Sequence, residues 1–140
     1  MAVQFFSADA RVPALPKTKL KSFINELFIQ EGKILEELGY IFCSDEYLLK
    51  INQQFLQHDY YTDIITFDIS ERKRSVKGEI YISVDRVKDN ARQLGETAFN
   101  EFLRVIFHGA LHLSGYMDKT KSQQKMMRDK EDYYLSKFHR

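Results

Sequence analysis

The sequence predicts an α+β domain, a single mixed β-sheet of about four strands with helices packed on it. Three observations lead there. Short β-rich runs alternate with helical periodicities early in the chain, two strands then follow in succession, and helices fill the chain after Ser83. The 140 residues are enough to bury a core and fit one domain over 1–140. Hydrophobic residues make up 44% and charged residues 29%, the balance of a globular rather than a disordered chain.

The elements follow in order. Val3–Phe6 reads as a short apolar strand, and Pro13 and Pro16 separate it from a helix over Thr18–Gln30. In that helix Leu20, Phe23, Ile24, Leu27 and Phe28 fall at helical spacing. Leu38–Cys43 is a second strand. Ser44 or Asp45 then caps a helix through Leu48, Leu49, Asn52 and Phe55. Ile64–Ile69 is rich in β-branched residues and reads as a buried strand. Ser70 to Lys77 is a charged connector, and Glu79–Ile82 a further strand. Ser83 caps a helix through Val87, Ala91 and Leu94, which Gly95 ends. Thr97 caps the next, whose apolar positions Phe99, Phe102, Leu103, Ile106, Phe107, Ala110 and Leu111 form an unbroken stripe. A last helix fills Thr120–Phe138, with Met126, Met127, Tyr134, Leu135 and Phe138 as its apolar side.

Bulk properties exclude several classes. A net charge of +1 is unlike a dedicated nucleic-acid coat, although a local basic patch still permits RNA binding. The single cysteine, Cys43, has no internal disulfide partner and sits in an apolar run, which reads as a buried thiol in a reducing compartment. No secretory signal pattern or membrane-spanning apolar run is present, so a cytoplasmic location is expected, with no membrane partner. Nothing in the sequence specifies an oligomeric state.

His108 and His112 stand four residues apart on the long helix, about 6 Å along its axis, and point the same way. That spacing suits two ligands to one metal ion. Gly115 then turns the chain, and Asp118 follows with a carboxylate. Three protein ligands with an open fourth position are the form of a catalytic metal site. The plainer reading is of two ordinary histidines, a helix stop and a solvated loop. Two features count against it. The histidines avoid the apolar stripe, and Gly109 sits inside the helix at a cost of ~1 kcal/mol relative to Ala, as where something approaches the backbone closely. Gly109 also occupies the place of the glutamate base of His-Glu-x-x-His metalloproteases, so that mechanism is disfavoured.

The stretch His108-Gly109-Ala110-Leu111-His112-Leu113-Ser114-Gly115-Tyr116-Met117-Asp118 resembles the signature His-Gly-x-Leu-His-Leu-x-Gly-Tyr-Asp-His of the YbeY family, the bacterial endoribonucleases of ribosomal RNA maturation. The likeness extends to Asn52-x-x-Phe55, Asp59, Thr62–Phe67, Gly78–Ser83 and Met127-x-x-x-Glu131. The resemblance implies a zincin-like fold, a bound Zn2+ on His108, His112 and Asp118, and action on ribosomal RNA of the small ribosomal subunit. Imidazole and carboxylate together also suit nickel, iron or manganese.

Two positions depart from the family pattern. Asp118 stands where a third histidine is usual, which leaves the metal centre one positive charge fewer and a bound water less acidified. Leu56 stands where an arginine commonly serves the RNA reaction, and leucine cannot pair with phosphate. His58 is the nearest cation in sequence, and the run Arg72-Lys73-Arg74 with Lys77 is another. Asp63, Thr66 and Glu79 are expected helpers in the reaction, although Asp63 reads equally as a turn or capping carboxylate. Tyr60, Tyr61 and Tyr116 offer rings on which RNA bases stack. Leu56 also favours an alternative, a non-catalytic ribosome-assembly factor with a structural zinc, for which Cys43 or His139 would close the fourth position. Hydrolysis of another substrate at the same metal is the third reading.

Overall fold

The computed structural model describes residues 2–140. Its elements are β1 (Val3–Ser7), α1 (Lys17–Gln30), β2 (Ile34–Cys43), α2 (Asp45–Leu56), β3 (Ile64–Asp68), β4 (Ser75–Ser83), α3 (Val84–Leu94), α4 (Ala98–Leu113) and α5 (Lys121–Phe138). The four strands form one mixed sheet in the order β1-β2-β4-β3. β1 and β4 run parallel to β2, while β3 returns antiparallel to β4. Parallel neighbours need a crossover, which α1 supplies between β1 and β2.

The sheet buries both faces unequally. The larger core gathers Leu20, Ile24 and Phe28 of α1, Leu38, Tyr40 and Phe42 of β2, Ile80 and Ile82 of β4, and the apolar stripe of α4 from Phe102 onward, Phe99 being exposed. Tyr40 brings a hydroxyl into this core and satisfies it by donating to the Ile106 carbonyl at 2.8 Å. A smaller cluster of Cys43, Leu48, Ile51 and Ile65, with Phe67 and Tyr81 against it, lies under α2 on the other face. There burial, with neighbouring carboxylates, pushes the Cys43 thiol up to about 12, so it is an inert core group, as the sequence suggested.

Several boundaries differ from the sequence expectation. β2 begins at Ile34 rather than Leu38, and β4 at Ser75, so the charged connector is shorter than Ser70–Lys77. The two extensions pair with each other, Ile34 with Ser75 and Glu37 with Lys77. In α5 the buried residues are Met127, Glu131, Tyr134 and Phe138, while Met126 is exposed. The caps at Ser44, Ser83 and Thr97 fall where predicted, each accepting a backbone N–H; Thr120, expected inside the last helix, is instead its cap and completes a capping box with Gln123. Among the described residues no helix is long and apolar enough to cross a membrane.

Candidate active site

Close packing of α4 on the sheet sets the position of the two histidines. A Cβ on Gly109 would stand 2.8 Å from Ile80 Cδ1 and 3.1 Å from Ile64 Cδ1. The close approach that excludes a side chain here is therefore made by β3 and β4. With Leu103, Ile106, Phe107 and Ala110 buried toward the core, His108 and His112 lie half-buried on the helix flank. Gly115, at φ +114°, then turns the chain back in a conformation that L side chains rarely adopt.

Each imidazole is turned by a hydrogen bond to its Nδ1. His108 Nδ1 donates to Glu131 Oε2 at 2.7 Å, and His112 Nδ1 donates to the Tyr116 carbonyl at 3.1 Å. Both rings thereby keep Nε2 for another partner, the usual arrangement around metal-binding histidines. His108 Nε2 stands 3.3 Å from Asp118 Oδ2. The Asp118 loop is tied down by Gln124 Nε2, which donates to the Asp118 carbonyl at 3.1 Å. Tyr116, which holds His112, donates its hydroxyl to Glu31 Oε1 at 2.7 Å, and Glu31 also accepts from Tyr134 and Lys130. Among the described residues no three His, Cys, Asp or Glu side chains stand close enough together to clamp an ion as they are placed. His108 and Asp118 are instead paired with each other.

Glu131 is the site residue to which the sequence alone assigns no role. It is buried, and it bridges His108 to Arg104, whose Nη1 reaches Glu131 Oε1 at 2.9 Å and whose Nη2 reaches Asp132 at 2.7 Å. Its signal in the sequence is a carboxylate on the apolar stripe of α5, four residues after Met127 and three before Tyr134. Burial favours the neutral form of His108, but the Glu131 hydrogen bond and the charges of Glu131, Asp118 and Asp63 outweigh it and hold the imidazole above its ordinary pKa.

The facing wall comes from β3 and the loop before it. Asn52 is buried, and its Nδ2 donates to the Tyr60 carbonyl at 2.9 Å, while Ser83 N–H donates to the Asp63 carbonyl at 3.0 Å. These bonds anchor the segment that places His58, Tyr60 and Asp63 on the same cavity wall as the histidines. The His58 and Tyr60 rings stack with centroids 5.1 Å apart, and the Tyr60 hydroxyl meets His58 Nδ1 at 2.9 Å. Burial raises the Asp63 carboxyl above its ordinary range, against the opposing pull of His108.

A cavity of about 770 Å³ brings His58, Asp63, His108, His112 and Asp118 together, with Thr66 and Leu56 also on its wall. Glu79 is not there. It is exposed on a β4 position that alternates with Ile80 and so points to the α2 face, beside Tyr81. Arg72, Lys73 and Arg74 lie at the exposed β3–β4 connection, away from the cavity wall. Tyr61 packs on Arg86 instead, and the Tyr116 hydroxyl is engaged by Glu31. Cys43 and His139 are not on the wall either: the thiol faces the Ile82 carbonyl, and His139 bonds Asn100.

Residues 6–139 match the family model described as Endoribonuclease YbeY. The chain belongs to the YbeY family. Family members named Endoribonuclease YbeY include one from Cytophaga hutchinsonii, 51% identical over 132 residues (94% of this chain and 92% of that protein). Another, from Bacteroides thetaiotaomicron, is 42% identical over 136 residues, 97% of this chain and 98% of its own length. The solution structure of TM1509 from Thermotoga maritima has the same fold, with a TM-score of 0.68 and 28% identity, covering 97% of this chain and 88% of that one. As a YbeY-family fold, the four-stranded sheet with its glycine-bearing α4 is the α+β architecture that the sequence predicts.

Proposed function

We propose that this chain is a metal-dependent endoribonuclease that processes small-subunit ribosomal RNA during ribosome maturation, in the cytoplasm, with one zinc ion held by His108, His112 and Asp118. The observation that carries this reading is the fixing of both Nδ1 atoms by Glu131 and the Tyr116 carbonyl. It leaves two Nε2 atoms, with the Asp118 carboxylate beside one of them, at a cavity large enough for part of an RNA strand. Two neutral imidazoles and a carboxylate fit the donor preferences of zinc. When bound, such an ion polarises a phosphoryl oxygen and acidifies water.

The remaining work falls to the chain's own side chains. Glu131 keeps the proton of His108 on Nδ1, so that Nε2 offers a lone pair. Asp63, whose carboxyl burial holds above its ordinary range, is suited to exchange a proton with a reacting oxygen. His58 brings the nearest imidazole on the facing wall to a phosphate, and the exposed ring of Tyr60 offers a stacking surface for a base. Glu79 takes no part, since it lies on the opposite face of the sheet.

Cleavage of ribosomal RNA by highly purified protein tests this reading, with and without chelator, beside a His108→Ala/His112→Ala variant. Cleavage is expected to stop on chelation, to return with zinc and to be absent from the variant. Equal cleavage by the variant overturns the assignment. Zinc binding by the wild type without any cleavage would instead favour the assembly-factor reading, for which Leu56 on the cavity wall is the motivating observation.

A further inference from the structure

Gln124, Arg128 and Glu131 line the cavity from one face of α5, at i, i+4 and i+7. The outer two are anchored to the site: Gln124 to the Asp118 carbonyl at 3.1 Å, Glu131 to His108 Nδ1 at 2.7 Å. Arg128 lies between them, about 6 Å along the helix axis from one and about 4.5 Å from the other. Arg128 thus shares the cavity wall with Asp118 and His108.

The charge on the wall makes this arginine conspicuous. Asp63, Glu96, Glu101, Asp118 and Glu131 supply carboxylates, and the only Lys or Arg side chains on the wall of the described residues are Arg104 and Arg128. Arg104 is committed at both terminal nitrogens, Nη1 to Glu131 and Nη2 to Asp132. Arg128 is exposed and has no hydrogen-bond or ion-pair partner among the described residues, although Glu101 feels its charge. A phosphodiester entering a cavity with this many carboxylates is repelled unless a cation receives it. A guanidinium does so with two parallel N–H donors, which a lysine point charge cannot match.

We infer that Arg128 is a substrate-binding residue, taking a backbone phosphate of a single RNA strand that lies between α5 and the Tyr60 ring. This rests on the endoribonuclease reading above. The contact serves to hold the strand, so its loss raises KM and leaves kcat little changed.

Arg128→Gln, Arg128→Glu and Arg128→Lys test it in two backgrounds. Binding of a fluorescently labelled single-stranded ribosomal RNA segment is followed by anisotropy against salt, in the His108→Ala/His112→Ala background where the strand survives. Cleavage kinetics are followed in the otherwise wild-type protein, with circular dichroism to check the fold. Arg128→Gln is expected to weaken binding and raise KM by about tenfold, the scale of one hydrogen-bonded charge contact. It should lower the salt slope by about 0.7, as for one phosphate on a single strand. Arg128→Glu should weaken binding further, and Arg128→Lys should recover part of the affinity. An Arg128→Gln protein with unchanged KM and salt slope overturns the contact while leaving the nuclease assignment standing. Conversely, RNA binding that depends on Arg128 in a protein that never cleaves supports the contact and removes the nuclease assignment. A wild-type chain that binds no RNA ends both.

Discussion

In Glu131 a carboxylate only 6% exposed satisfies two charged neighbours at once, one oxygen facing Arg104 and the other His108. The geometry makes Glu131→Gln a sharp test. Arg104 can only donate, so it takes the amide oxygen and turns the amide NH₂ toward His108. Nδ1 must then accept, and the ring proton moves to Nε2, where it blocks metal binding. Zinc affinity should fall by about 10–100-fold, read by calorimetric titration. Asp132→Asn removes the more exposed partner of the same arginine and should change stability by less than about 1 kcal/mol. Undiminished zinc affinity in Glu131→Gln would show that the His108 tautomer is fixed by something else.

At the scale of elements, the close contact between α4 and β4 invites a packing cycle. Gly109→Ala improves helix propensity by ~1 kcal/mol but drives a methyl group to 2.8 Å from Ile80 Cδ1 in a fully buried site. Overpacking of this kind costs about 1–3 kcal/mol, so the net change in denaturant unfolding should be destabilising. Ile80→Val removes the offending carbon, and Gly109→Ala should cost less in that background than in the wild type. Equal costs in the two backgrounds would place the strain at the remaining neighbours, Ile64 Cδ1 and the Ile80 Cγ2 that valine retains. The same elements show what was readable in the chain. α4 was legible because its stripe, its Thr97 cap and its internal glycine are local features. The beginnings of β2 and β4 were not, because Glu36, Glu37 and Lys77 carry no strand signal and become strand only by pairing across the sheet. Glu79 was misjudged for a related reason: period-2 alternation says that it opposes Ile80 but not which face carries α4. Glu131 gained a role only from a partner 23 residues away.

Across the whole molecule, the metal binding proposed at His108 would compete with protons there, and this sets opposite pH dependences for the metal-free and metal-loaded protein. In the metal-free chain the folded His108 imidazole titrates above its ordinary value of 6.5. Its ionisation therefore stabilises the fold fully below that value, and the contribution is lost as pH rises through the folded value. Asp63 and Glu101, both raised mainly by burial, act with the same sign wherever they titrate. Asp9 and Glu31, whose carboxyls are lowered, lose their contribution only in the acid range and do not oppose this near neutrality. One proton can change stability by at most about 1.4 kcal/mol per pH unit, so the metal-free melting temperature should decline gently from about pH 6.5 upward. A metal ion needs the deprotonated ring, so its apparent affinity, and the stability that it adds, should grow over the same interval. At a hundredfold excess over Kd that added stability is about 2.7 kcal/mol, several degrees in Tm. The gap between zinc-loaded and metal-free melting curves should therefore widen from pH 6.5 upward, and it should vanish in His108→Ala. Parallel curves across that range would mean that His108 is not where proton and metal meet, and the assignment of His108 as a ligand would fall.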